Sequence, residues 1–359
     1  MGNSPKVYRV AVIPGDGIGP SVVKATLEIL DRAAQAHGFS LDFSFHEGGA
    51  CHFLKHGEPI SEETIEACAR AHAVIKGPVG LPQARRPDGT EGGLLGGTFR
   101  FIWNLYANVK PIRLWPGVES PLKGVRPGEI NYTIVRENTE GLYASRNSGV
   151  VREEAAVDSL LITRKGTKRV IEFAFHLARG REEAPLDGKK RVTCVDKANV
   201  LRSMAFFREI FYQVAQDFPE IEADTLHADA AAQALVLEPK RFHVLVMENL
   251  LGDILSDLGG ATVGGLGMCP SGNIGDKNAL FEPLHGSAPD LADNNKANPL
   301  ATILSGAMML EWLGEKEAAQ AIEKAVERAL TQRLITVEPQ GTVAPGTREA
   351  ASIIRDLLE

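Results

Sequence analysis

Apolar residues in this chain follow two spacings in turn. The run from Lys6 to Ile13 (KVYRVAVI) is short and β-branched, whereas Ser21 to Gly38 (SVVKATLEILDRAAQAHG) repeats its apolar residues at helical spacing. A strand at LDFSF, a helix from Ser61 to Ala71 and a strand in AVIKGPVG follow. Such alternation predicts an α/β architecture with parallel strands. The Gly/Pro/Arg-rich stretch from Gly80 to Gly97 reads as a mobile loop. From about Tyr106 the pattern resumes with a strand in INYTIVREN, then SLLITRK, a helix through RVIEFAFHLARG, a strand and turn in KRVTCVDKANVL, and MAFFREIFYQVAQDF. FHVLVMENLLGDILSDLGGATVGGLG reads as a strand, a helix and a glycine-rich exit. The last hundred residues return to strand, loop and helix. In the final long helix Ala321, Ile322, Ala325, Val326, Ala329 and Leu330 form one packing stripe.

Between the first strand and helix stands VIPGDGIGPSV. A dinucleotide-binding fingerprint needs Gly-x-Gly-x-x-Gly, but after Gly15 and Gly17 the third slot holds Pro20, a residue suited to the first turn of a helix. The stretch reads as a strand-to-helix turn near a ligand, and leaves the cofactor to be found elsewhere.

The length of 359 residues sets two domains as the natural expectation. A content of 44% hydrophobic and 24% charged residues is that of a globular chain without low-complexity tracts. The net charge of −7 gives no footprint for nucleic acid, and the basic clusters at Arg85-Arg86 and Arg164 to Arg169 read as solvated faces. No apolar run reaches the roughly 20 residues that span a bilayer, and MGNSPKVYR has no signal-peptide core. The expectation is a cytoplasmic protein with no membrane partner. Cys51, Cys68, Cys194 and Cys269 have no metal-binding spacing and read as buried reduced thiols.

Asp253 and Asp257 lie four apart in GDILSD, which puts both carboxylates on one helix face. Such a pair either faces water or holds a divalent cation with oxygen ligands, Mg²⁺ or Mn²⁺. Lys197 directly follows a strand, a place for function or simply a surface lysine. Arg136 and Tyr143 in RENTEGLY offer an anion clamp and a proton donor, and Arg100 and Lys110 add positive charge for a small anionic substrate. LFEPLHGSAPDLA gathers Glu282, His285, Gly286, Ser287 and Asp290 in a proline-punctuated loop. It reads either as an Asx-type turn or as a ligand loop in which glycine admits close backbone approach and a carboxylate accepts ribose hydroxyls.

Taken together, IPGDGIGP, KGPVG, LYANVKP, RENTEGLY, VDKANVL, NLLGDILSDL, EPLHGSAPD and SGAMMLEWLG resemble the β-decarboxylating dehydrogenases of isocitrate, 3-isopropylmalate, homoisocitrate and tartrate/D-malate, nearly end to end. The resemblance implies a non-Rossmann α/β fold of two open domains sharing a large mixed sheet. Residues 1–105 with 264–359 would bind the cofactor, and 106–263 would serve substrate, metal and dimerisation. It implies that Arg100, Arg136 and Lys110 hold the malate carboxylates, although the family commonly has arginine at the last position. Tyr143 would protonate carbon after decarboxylation, and Lys197 would take the substrate hydroxyl proton. Asp229 would join Asp253 and Asp257 as metal ligands, with Lys197 and Asp229 reaching the partner's site in a homodimer. Asn104 replaces the usual aspartate of its segment.

The same resemblance puts NAD on the HGSAPD loop, lined by Glu282, His285, Gly286, Ser287, Ala288, Asp290 and Asn298. Asp290 would repel the extra phosphate of NADP. The residues before Arg100 would meet the substituent on C3. Leu94 and Leu95 suit an alkyl group, Gly96 and Gly97 leave space, and no basic residue between Leu94 and Phe99 would pair a third carboxylate. RLWPGVESPLKGVRPG and LSDLGGATVGGLG resemble the tartrate/D-malate branch and VDKANVL the isopropylmalate branch, so the resemblance implies D-malate or tartrate as the expected substrate, 3-isopropylmalate as the alternative, and isocitrate or homoisocitrate as less favoured. A non-catalytic regulatory subunit would be expected to lose Tyr143, Lys197 or an aspartate, and all are kept.

Overall fold

The computed structural model describes residues 6–146, 148–338 and 341–358. Its strands are β1 (Lys6–Ile13), β2 (Phe39–Phe45), β3 (Ala73–Lys76), β4 (Ala107–Arg113), β5 (Asn131–Glu137), β6 (Val150–Val151) and β7 (Ala156–Val157). There follow β8 (Arg191–Asp196), β9 (Glu222–His227), β10 (Val244–Met247), β11 (Pro270–Ile274), β12 (Ala279–Pro283), β13 (Thr336–Val337) and β14 (Val343–Ala344). Ten of them form one sheet in the order β2-β1-β3-β12-β11-β4-β5-β10-β8-β9, while β6-β7 and β13-β14 are separate hairpins. Eleven α-helices are found among the described residues.

The sheet is mixed. β2, β1, β3 and β12 are parallel, as are β5, β10, β8 and β9, and between these halves β11 and β4 pair antiparallel with each other and with both neighbours. Alternation of strands and helices by itself argued for parallel pairing, whereas the family resemblance implied the large mixed sheet that is found. The departure has a local cause: residues 275–278 join β11 to β12 directly, too short a link for the crossover that parallel neighbours require. The antiparallel centre matters for function, because it lays Lys110, Arg136, Asn273 and Glu282 along one stretch of sheet.

Local chemistry explains where the helices begin. The helix Glu62–Arg70 is capped by Ser61, whose hydroxyl accepts from Thr64 N at 3.2 Å, and two glutamates occupy its first turn. Helix Arg164–Gly180 starts from Thr163, accepting from Gly166 N at 3.1 Å. SLLITRK forms no strand: Leu161 makes one isolated bridge to Gly141, and Arg164 already belongs to the helix. The long loop ends at Gly96, where helix Gly96–Ile102 begins. In helix Lys316–Thr331 the expected stripe is buried from Ile322 to Leu330, with Ala321 at its edge.

The glycine turn after β1 serves as a clamp between segments distant in sequence. Gly17 has φ +56°, and a Cβ there would stand 2.1 Å from Ser287 O, so only glycine lets the chains meet. Ile18 N donates to Ser287 O at 2.9 Å. The buried Asp16 carboxylate accepts from Ala50 N, Cys51 N and Gly80 N at 2.7, 2.9 and 2.9 Å. Cys68, Cys194 and Cys269 are buried free thiols, while Cys51 is exposed, against expectation. No helix among the described residues is long and apolar enough to cross a membrane.

Candidate active site

A cleft of about 920 Å³ opens over the antiparallel centre of the sheet. Its floor is cationic. Lys110 on β4 and Arg136 on β5 are each only 2–3% exposed, and Arg100 reaches in from helix Gly96–Ile102. Helix Asn249–Ala261 carries Asp253 and Asp257 along one wall, its start fixed by Glu248, whose carboxylate accepts from Leu250 N and Leu251 N. Glu248 also accepts from Leu142 N at 2.9 Å, which ties the short 3₁₀ turn bearing Tyr143 to the same helix.

Asp253 is the meeting point of this half. It pairs with Arg136, accepts from the Tyr143 hydroxyl at 3.0 Å, and stands 3.7 Å from Lys110 Nζ. Burial pushes its carboxyl up, but Arg136 and Lys110 pull harder and leave it below the usual range. Asp257 is raised, by burial and by the neighbouring charge of Asp253, although Lys110 opposes. Lys110 donates to Ser256 Oγ at 2.7 Å. Burial, reinforced by Arg136, pushes its amine down to about 7, and burial with Arg100 lowers Arg136 to about 10. Burial and the charge of Asp253 raise the Tyr143 hydroxyl, so it holds its proton at neutral pH.

The other half is built round Glu282. Lys76, 2% exposed, pairs with it at 2.7 Å, Asn273 Nδ2 donates to it at 2.8 Å, and Arg100 Nη2 lies at 3.5 Å. Asn273 Oδ1 in turn accepts from Arg100 Nε, Asn108 and Asn138 at 3.1, 3.1 and 3.0 Å. Against the cost of burial these cations hold the Glu282 carboxyl down to about 2. Beside it His285 Nε2 is a buried atom with no partner, while Nδ1 lies 2.9 Å from Gly286 O.

Of the site residues expected from sequence, Leu94, Arg100, Lys110, Arg136, Tyr143, Asp253, Asp257, Glu282, His285 and Gly286 line this one cleft. The others lie elsewhere. Leu95 is fully buried between Ile13, Ile60 and Phe99, because the helix starting at Gly96 turns it inward. Ser287 is held by its hydroxyl on Gly80 O, Ala288 sits at φ +37°, and Asp290 is exposed in the turn Pro289–Leu291. Asn298 is buried, its Oδ1 accepting from Leu300 N at 3.0 Å. Lys197, after β8, forms an ion pair with Asp229 in the first turn of helix Ala228–Leu237, away from the cleft. Among the described residues no three His, Cys, Asp or Glu side chains gather closely enough to hold a metal.

Sequence reading missed Lys76, Asn273, Asp16 and Arg146. A lysine inside the four-residue buried strand AVIK was the clearest signal, since buried lysines are paired. Asp16 held a weaker one, as a charge between two glycines that must adopt positive φ.

The family model described as isocitrate/isopropylmalate dehydrogenase matches residues 9–352. The 3-isopropylmalate/3-methylmalate dehydrogenase of Methanocaldococcus jannaschii is 42% identical over 338 residues, covering 94% of this chain and 95% of that protein. The D-malate dehydrogenase [decarboxylating] of Escherichia coli is 39% identical over 351 residues, with 94% and 95% covered. The crystal structure of isocitrate dehydrogenase from Methylococcus capsulatus superposes with a TM-score of 0.85 at 38% identity, covering 98% of this chain and 99% of that one. A model matching almost the whole chain, with relatives well above 30% identity, leaves one conclusion: this chain belongs to the isocitrate/isopropylmalate dehydrogenase family and is a decarboxylating dehydrogenase acting on a CH–OH group.

Proposed function

We propose that the protein catalyses the NAD- and divalent-metal-dependent oxidative decarboxylation of a (2R)-malate-type 2-hydroxy acid. D-malate and tartrate are the substrates favoured, with 3-isopropylmalate the alternative. The observation that carries this reading is that Arg100, Lys110, Arg136, Asp253, Asp257 and Tyr143 line one cleft, with Lys110, Arg136 and Tyr143 all addressing Asp253. The arginine donors gathered there suit a substrate that brings carboxylates.

The donor chemistry fits the implied cation. Asp253 and Asp257 are hard oxygen donors one helical turn apart on one face of the helix, a like-charge pair that a divalent ion relieves. Two ligands from one chain are few, and Asp229 from a second copy would complete the set. The orphaned His285 Nε2 beside the exposed Gly286 backbone fits a cofactor that supplies a hydrogen-bonding partner. When bound, NAD accepts a hydride and Mg²⁺ or Mn²⁺ polarises the oxygen on C2.

The chain's own residues do the rest. Arg100 and Arg136 orient the carboxylates, and Lys110 adds charge without the bidentate fork of arginine. Lys197 of the second subunit takes the hydroxyl proton. The Tyr143 hydroxyl, raised further by burial and by the charge of Asp253, delivers a proton to carbon once CO₂ has left.

Following NADH absorbance with Mn²⁺ across D-malate, L-tartrate, 3-isopropylmalate and isocitrate tests the assignment, and NADP serves as the control for Asp290. Turnover of D-malate or tartrate with NAD is expected, and NADP-only activity would refute the cofactor reading. The shared site has a separate test. Tyr143→Phe and Lys197→Met, each inactive alone, are expected to recover roughly a quarter of wild-type activity when co-expressed, since half the dimers are mixed and one of their two sites is intact. No recovery would place both residues in a single-chain site.

The clamp at Gly17 yields a binding prediction. Gly17→Ala forces a Cβ into Ser287 O, at a strain of about 1–3 kcal/mol that the 285–290 loop must absorb. The Kd for NAD, measured by fluorescence titration, is expected to rise about tenfold, with Mn²⁺ affinity unchanged.

A further inference from the structure

The cleft has a third end, beyond Arg100, that neither the metal-side carboxylates nor the Glu282 cluster occupies. Arg146, just past the turn bearing Tyr143, lines this end and also an adjoining pocket of about 270 Å³. Its guanidinium rests on Gly97: a Cβ built there would stand 2.0 Å from Nη1. Gly97 is what admits the arginine. Arg86 lines the same smaller pocket, and its Nε is buried without a hydrogen-bond partner. Neither guanidinium has a carboxylate among the described residues within ion-pair distance. The nearby Glu91 is paired instead with Arg85, at 3.6 Å. Burial, then the charges of Arg86 and Arg100, hold Arg146 below its usual range. Arg146 is exposed to the cleft and Arg86 partly buried; Glu91 offsets part of the repulsion but pairs with neither, so both guanidiniums keep donors open to an incoming acceptor.

Arg100, Lys110 and Arg136 take up the two carboxylates of a malate-type acid. Leu94, Gly97 and Arg146 line the part of the cleft beyond these three, with Glu91 also on its lining, and offer room for a further substituent. We propose that Arg146, assisted by Arg86, is a specificity residue that binds an oxygen-bearing substituent on C3 of the substrate, a hydroxyl or a carboxylate, in preference to an alkyl group. This deepens the reading above and rests on it. The donor that the stretch between Leu94 and Phe99 lacks would then come from residue 146, across Gly97.

The test compares wild type, Arg146→Leu, Arg146→Lys and Gly97→Ala on D-malate, L-tartrate, isocitrate and 3-isopropylmalate. kcat/KM is read alongside calorimetric Kd for each acid with Mg²⁺ and no nicotinamide. Arg146→Leu is expected to weaken the acid with the C3 oxygen about 10- to 100-fold relative to D-malate, in both readouts. Tartrate or isocitrate as the affected acid identifies hydroxyl or carboxylate. Lysine should restore part of the loss. Gly97→Ala keeps the charge and favours the helix, yet displaces the guanidinium, and is expected to shift selectivity the same way. Equal losses on all acids, unchanged selectivity, or a wild type that prefers 3-isopropylmalate overturns the proposal while leaving the malate-type reaction standing. A wild type that binds and oxidises none of the acids overturns both.

Discussion

Asp253→Asn is expected to lower turnover about a thousandfold or more while leaving the fold intact, as seen by steady-state kinetics and circular dichroism at saturating Mn²⁺. The magnitude follows from the several kcal/mol of charge stabilisation that a bound divalent ion contributes, each 1.36 kcal/mol being tenfold. More than one partner loses its counterpart. Arg136, Lys110 and the Tyr143 hydroxyl all address this carboxylate, so its loss leaves the two buried cations without their counter-charge and the hydroxyl without its acceptor. Mn²⁺ affinity should fall in parallel. A variant within tenfold of wild type would remove Asp253 from the chemistry.

Glu282→Gln is the second large effect, and it falls on stability. The substitution preserves shape but leaves Lys76, 2% exposed, without its partner at 2.7 Å. A buried charge stripped of its counter-charge costs about 3–5 kcal/mol. Tm is expected to drop on the order of 10 °C, read by calorimetry. The effect has a pH signature. The Glu282 carboxyl is held down to about 2 against an ordinary value of 4.5, so its stabilisation is complete above about pH 4.5 and is lost as pH falls toward 2. The Tm gap between wild type and variant should therefore narrow across that window. A constant gap would mean that lost packing, not charge, was being measured.

What the sequence disclosed, and what it withheld, divides along a physical line. Asp253 and Asp257 were legible because four residues on a helix fix a common direction, and the turn at Gly15 and Gly17 because only positive φ asks for glycine there. Tyr143 and Arg136 were legible because both sit at or just past the end of a strongly β-branched run. Residues whose roles depend on partners far along the chain were not. Lys76 meets Glu282, Asn273 joins Arg100 to Asn138, and Arg146 packs on Gly97, and no local spacing records such pairings. Leu95 shows the opposite error. Its neighbour Leu94 faces the cleft, but one step along the chain at a helix start was enough to turn the side chain into the core.

The most direct measurement is the stoichiometry of CO₂ release and NADH formation from a malate-type acid, with Mn²⁺ and then with a chelator. One CO₂ per NADH, both abolished by chelation and restored by Mn²⁺, is the result expected of an oxidative decarboxylation at Asp253 and Asp257. NADH formed without CO₂, or activity indifferent to the chelator, would contradict it.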